Sequence, residues 1–264
     1  MNLLFHVLLI LQIGFAPNPF WVRLDRKLIK GITQTEKSSP DSLEAFFLKK
    51  NKREIIDLGF GWSVWETTRR GGYISIYADF YYFHDEIIAY RIIPELPDEE
   101  SLKKKYKNWY SPYFEFEGKD ILPLEFQERI IKEPLKYYYE NNDSLEVNNE
   151  VKYYMSPRSG LRYGYSGGIS GNLLLNRKLF KGIKGILNNK EVILLMHSVN
   201  PASRLTAIEF YLQNKENFSE NFEIEQWIEK IYLETPTIET LSGCMVEIQN
   251  SRKLVEMYAN MKQE

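Results

Sequence analysis

Cysteine occurs once in the 264 residues, at Cys244, so no disulfide can close within the chain and no multi-cysteine zinc site can be built. Histidine is almost as scarce. His6 lies in an apolar leader, which leaves His84 and His197 for the rest of the molecule. A transition-metal site would have to lean on carboxylates, and no spacing of Asp and Glu points to one, so neither metal nor cofactor is expected. No glycine-rich loop runs into a Lys-Ser/Thr pair, which argues against nucleotide hydrolysis. Net charge is small, −2, and counts against nucleic acid as a partner of the whole molecule. The N-terminal apolar run, Leu3 to Ile13, is interrupted only by His6 and Gln12. It is shorter than the roughly 20 residues that cross a bilayer, so no stable membrane span is expected.

That run is nevertheless the length of a secretory h-region. Gly14 and Ala16 follow it at the small-residue spacing that signal peptidase prefers. No Lys or Arg precedes it, and Pro17 would directly follow a cut after Ala16; both features oppose the export reading. No cysteine adjoins the leader, so a lipid anchor on that residue is excluded. The expectation is a signal peptide over 1–16 and a secreted or periplasmic protein. The alternative is a cytoplasmic protein whose N-terminal segment is buried. With 44% apolar residues the chain can bury a core without cross-links.

Charge is unevenly spread. No acid occurs between Glu150 and Glu191, where Lys152, Arg158, Arg162, Arg177, Lys178, Lys181, Lys184 and Lys190 are all positive. From Glu191 onward twelve acidic and six basic residues leave a local net of −6.

The hydrophobic pattern divides the chain near 160. Residues 17–40 mix basic and polar positions and end in a linker-like Lys37-Ser38-Ser39-Pro40. Ser39 or Asp41 then caps a short helix through Leu43, Phe46 and Phe47. Leu58–Thr68, Tyr73–Phe83 and Ile87–Ile93 are rich in aromatic and β-branched residues and read as a three-stranded antiparallel meander. In the middle strand Ile74, Ile76, Ala78, Phe80 and Tyr82 share a core face. Tyr73, Ser75, Tyr77, Asp79, Tyr81 and Phe83 share the other. A helix is expected from Asp98-Glu99-Glu100 through Lys107, a strand through Tyr113, Phe114 and Phe116, and a helix over Leu124–Tyr139 that contains Pro134. Asn141–Glu150 reads as a polar loop.

Beyond a glycine-rich stretch, 160–171, the period becomes helical. Leu175, Leu179, Ile183 and Ile186 form a stripe, with Arg177, Lys178, Lys181 and Lys184 on the remaining surface, most simply read as a solvated basic face. Val192–Val199 reads as a buried helix. Asn200-Pro201 and Thr235-Pro236 each pair a cap with a first-turn proline. The second is expected to open a helix through Leu241, Met245 and Ile248 that can run on to Tyr258. The fold class expected is α+β: a small antiparallel meander in a domain over 17–159, then a helical domain over 160–264 built of stacked antiparallel helix pairs. No fixed sequence period supports a true repeat.

The sharpest literal motif is Gly164-Tyr165-Ser166-Gly167-Gly168, which looks like the G-x-S-x-G nucleophile elbow of α/β-hydrolases. That elbow needs a buried strand before the serine, and Arg158 to Tyr163 has no aliphatic run. In that fold's chain order the partners of Ser166 would be Glu191 and His197, which follow too closely. The same residues look somewhat like the Gly-Asp-Ser-Gly-Gly of chymotrypsin-like proteases, with Tyr165 in place of the aspartate. His84 sits with Asp85 and Glu86 at a hairpin turn, where solvated polar residues are usual. An anion site is a further candidate: Gly167 and Gly168 lead toward a helix, with Arg158, Arg162 and Arg177 nearby. Exposed tyrosines, Tyr77 and Tyr81 foremost, suit recognition of peptides or sugars. The function expected is therefore non-catalytic binding of a peptide, protein or glycan, with a serine hydrolase or an intracellular helical scaffold as alternatives.

Overall fold

Asn18 caps the first helix through its side chain, and Pro19 pre-sets the first turn. The computed structural model describes residues 16–112, 114–121, 124–141, 146–167, 171–219, 221–242 and 245–261. Helix α1 (Pro19–Glu36) buries Asp25, Leu28, Ile29 and Ile32, a helical stripe with a carboxylate in it. The sequence pattern had shown only mixed polar residues there. Ser39 caps α2 (Pro40–Leu48), whose Leu43 and Phe47 are buried. The two helices approach so closely that a Cβ at Gly31 would lie 2.4 Å from the Phe46 ring.

Five strands follow in the order β1 (Ile56–Gly59), β2 (Trp62–Arg70), β3 (Ser75–Phe83), β4 (Glu86–Glu95) and β5 (Lys119–Ile121). The sheet is an antiparallel meander, with Ile56 opposite Val64 at one edge and Tyr90 opposite Ile121 at the other. The stretch read as one strand from Leu58 is two. Gly59, Phe60 and Gly61 all take positive φ (84°, 52° and 78°) and turn the chain back on itself. The expected core face of β3 is observed: Ile76, Ala78, Phe80 and Tyr82 are buried. Trp65 stacks on Phe80 at 5.5 Å, and Phe47 meets it edge-on at 5.8 Å. Helix α3 (Glu100–Tyr110) connects β4 to β5. Phe114 and Phe116 are buried but lie outside any strand; the pairing falls on residues 119–121 instead.

Helices dominate the remainder: α4 (Leu124–Asn141, which contains Pro134), α5 (Asn149–Met155), α6 (Leu175–Ile183), α7 (Asn189–Met196), α8 (Pro201–Gln213), α9 (Asn221–Glu234) and α10 (Ser251–Ala259). Asn200 caps α8 as its sequence implied, accepting from the amides of Ala202 and Ser203. Pro201 to Glu209 and Tyr211 are all buried, so α8 is enclosed on nearly every side.

Two expectations for this half are corrected. The helix expected from Thr235-Pro236 is a hairpin, β8 (Thr237–Ser242) with β9 (Met245–Asn250), and only then α10. The Leu241, Met245 and Ile248 spacing mimics a helix, but the β-branched Thr237, Ile238, Thr240, Val246 and Ile248 favour the pleat. The buried side of α6 is Asn176, Arg177, Phe180 and Ile183, while Leu175 and Ile186 are exposed. The expected apolar stripe was thus turned by about one residue.

The described residues divide into two compact units: those within 16–55, 65–81 and 87–121 form one, and those within 56–64, 82–86 and 124–261 the other. Residues 122–159, expected with the first part, cluster with the second. Among the described residues no helix is long and apolar enough to cross a membrane. The leader lies outside the described residues.

Candidate functional site

The glycine-rich segment forms a short hairpin, β6 (Ser166–Gly167) against β7 (Asn172–Leu173), with Ser166 opposite Leu173. β7 and Leu174 separate the serine from the start of α6, so it does not sit at a strand-to-helix elbow. Glu191 and His197 have other occupations. Glu191 completes the capping box of α7 with Asn188 and also accepts from the Asn148 amide at 3.3 Å. His197, at the end of α7, stacks on Trp227 with ring centroids 4.4 Å apart and planes 22° from parallel.

The basic residues are also dispersed. Arg158 is exposed on a 3₁₀ turn, and Arg162 pairs with Glu239 at 3.6 Å. Arg177, expected on a solvated face, is 6% exposed and Glu209 is 2% exposed. Its Nη1 donates to both Glu209 oxygens at 2.8 and 2.6 Å, and its Nε donates to the Gly164 carbonyl at 2.7 Å. Tyr163 donates to the same carboxylate at 2.9 Å, and the guanidinium lies 5.0 Å from the Tyr163 and Tyr258 ring centres. Burial opposes the charge on Arg177, but the facing Tyr163 oxygen and Glu209 outweigh it and hold its pKa above the ordinary value. Burial, then Glu209, pushes the Tyr163 phenol well up. This is an internally neutralised network that joins α6, α8 and the segment before β6. Gly167 packs against Leu241 and Leu174, with a Cβ there 3.0 and 3.2 Å from their side chains. Gly168 lies outside the described residues.

His84 and Asp85 form the two-residue turn between β3 and β4, both with positive φ. The His84 ring covers Gly61, where a Cβ would come within 2.6 Å of it. Tyr77, exposed on the outer sheet face, donates to Glu95 at 3.1 Å; Tyr81 on the same face is half-buried. Between them in the strand, Asp79 accepts from Arg91 Nε at 2.8 Å.

The depressions with the size of a small-ligand pocket include one in each unit. The one in the first unit is about 440 Å³, with Tyr90, Ile92, Phe114, Glu36 and Lys119 in its wall. Two of its charges are paired, Lys119 with Glu36 at 2.8 Å, and burial followed by Glu36 pushes the Tyr90 phenol up to about 12. The other, in the second unit, is about 400 Å³ and lies beside the His197–Trp227 stack. Ile193, Met196 and Ile224 supply apolar wall, and Glu223, Gln226 and Lys230 supply polar groups. Burial, then the charge on Arg204, pushes His197 down to about 4, so its imidazole is neutral at pH 7. A neutral ring stacked on indole, with aliphatic neighbours, suits an apolar or aromatic group.

Comparison with protein-family models, curated proteins and solved structures finds no match.

Sequence reasoning missed Glu209, Trp227 and Asp25. Asp25 is fully buried and accepts from the amides of Gly72 (2.6 Å), Tyr73 (3.0 Å) and Ile74 (3.2 Å) and from the Tyr106 hydroxyl (2.6 Å). One signal was present: between residue 1 and Glu36 it is the only acid.

Proposed function

We propose that the chain is an exported, non-catalytic binding protein that takes an apolar or aromatic group of a peptide or protein ligand against the His197–Trp227 stack. The observation that carries this reading is the stack itself, forming part of an apolar-walled depression with polar groups alongside. An aromatic ligand ring gains from packing on indole and imidazole, and Lys230 or Glu223 can orient its polar end. A peptide is favoured over a glycan because Tyr77, the exposed ring best placed for a sugar, already spends its hydroxyl on Glu95. Export rests on the length of the Leu3–Ile13 run and the small residues after it.

The test is methyl NMR on the full chain titrated with N-acetyl-phenylalaninamide. Saturable shifts are expected at the methyls of Ile193, Met196 and Ile224, and Trp227→Ala should abolish them. No shifts, or shifts scattered over both units, would refute the pocket. N-terminal sequencing of protein recovered from the expressing cell checks export, which is refuted if the leader is retained and the protein stays in the cytoplasm.

A further inference from the structure

Two helices of the first unit carry the same combination, exposed rings beside an excess of positive charge. On α1, Phe20, Arg23, Lys27 and Lys30 recur at steps of three and four, so they share one exposed face opposite the buried Ile29 and Ile32. Arg23, Lys27 and Lys30 are in no ion pair among the described residues. The acid in that stretch, Asp25, is buried and bound to the amides of Gly72, Tyr73 and Ile74. On α3, Lys103, Lys104, Lys105 and Lys107 follow one another with no acid after Glu100.

A row of rings joins the two helices. Successive centroids from Phe20 to Trp21, Tyr73, Tyr106 and Trp109 lie 5.8, 6.4, 6.1 and 5.5 Å apart. Its ends are open, with Phe20 52%, Trp21 42% and Trp109 43% exposed. Its middle is pinned: Tyr106 donates to Asp25 at 2.6 Å, and Tyr73 accepts from the Asn18 amide at 2.9 Å. The Arg23 guanidinium lies 5.7 Å from the centre of the Phe20 ring.

We propose that this face rests on a bilayer surface rich in anionic phospholipid, whatever occupies the His197 pocket. Indole and phenyl rings settle at the boundary between headgroups and acyl chains, while Lys and Arg stems lie along it and carry their charges to the phosphates. The cations fix the sign of the surface. The exposed rings call for an apolar layer beneath that charge, which a bilayer has and a nucleic-acid duplex does not. Placement of the chain agrees: residues 1–15 lead into this end of α1, and their Leu3–Ile13 run is apolar. A cut after Ala16 would leave an α-ammonium at the same end, so the face keeps its charge with or without the leader.

Cosedimentation of the full chain with vesicles of phosphatidylglycerol and phosphatidylcholine in equal parts tests this, beside vesicles of phosphatidylcholine alone. Binding is expected to be at least about tenfold tighter to the anionic vesicles and to weaken in about 0.5 M salt. The combined variant Arg23→Gln, Lys27→Gln, Lys30→Gln should bind at least about tenfold more weakly with its thermal midpoint unchanged, since all three side chains are exposed. Brominated acyl chains should quench part of the tryptophan fluorescence, and Trp21→Phe with Trp109→Phe should remove that quenching. The proposal is overturned if the anionic vesicles do not bind the chain or if neutral vesicles bind it within about twofold. It is equally overturned if the charge variant keeps full affinity or if quenching survives the tryptophan replacements. A single-stranded oligonucleotide that binds more tightly than the vesicles would assign the face to nucleic acid instead.

Discussion

Arg177→Met separates a structural ion pair from an anion-binding arginine. Methionine retains the length of the side chain and removes three donated hydrogen bonds, two to Glu209 and one to the Gly164 carbonyl. Among the described residues Glu209, 2% exposed, then keeps only the Tyr163 hydroxyl as a hydrogen-bond donor. Breaking a buried pair from one side leaves an uncompensated charge and costs about 3–5 kcal/mol. At about 2–4 °C per kcal/mol for a unit of this size, the midpoint of the second unit should fall by about 10 °C. The double variant Arg177→Met with Glu209→Leu removes both charges, and its loss should be smaller than that of either single change. A cycle followed by urea denaturation would then give a coupling of about 2 kcal/mol or more. The anion-site reading predicts the reverse: Arg177→Met nearly neutral for stability, with stabilisation by added phosphate abolished. A single-variant loss under about 1 kcal/mol would refute the structural argument.

Asp25→Ala strands three backbone amides and the Tyr106 hydroxyl, and should cost the first unit about 3–5 kcal/mol by calorimetry. A loss under about 1 kcal/mol would show that the cradle is dispensable. His197 has its pKa lowered to about 4 in the fold, so the unfolded chain binds its proton first. Stability should fall as pH drops below the ordinary value near 6.5, reaching a deficit of about 3 kcal/mol by pH 4. His197→Gln should flatten that part of the profile measured by urea denaturation, and an unchanged slope would reject the assignment. Asn200→Ala removes a cap and two buried donated bonds, to the Ser156 carbonyl and the Ser159 hydroxyl, for an expected loss of about 2–4 kcal/mol in chemical denaturation. A fluorophosphonate probe should give no signal that depends on Ser166; labelling lost in Ser166→Ala would establish a nucleophile and overturn the non-catalytic reading.

Much of the local structure was legible because it is written in neighbouring residues. Ser39 and Asn200 each place a side-chain oxygen beside free amides a few positions on, a relation that needs no tertiary partner. The alternation along β3 likewise survives in the structure, because a one-residue slip would turn Phe80 and Tyr82 outward. The candidate site was far less legible. Arg177 appears solvated in any reading of α6 alone, since its counter-ion is 32 residues away on α8. The β8–β9 hairpin was misread because spacings of four and three residues fit a helix as readily as a strand ladder with a tight turn.

The order of residues along this chain settled its caps, its pleated meander and the change to helical periodicity, all interactions that close within a few positions. Which charges are buried, which glycines lie under a ring, and which surfaces are left concave depended on segments far apart in the chain meeting in space. Asp25 reaches the 72–74 amides and Trp227 reaches His197 only once the helices and sheet have packed. Burial changes the worth of a charge or a ring by several kcal/mol, and burial is a property of the fold rather than of any stretch of sequence.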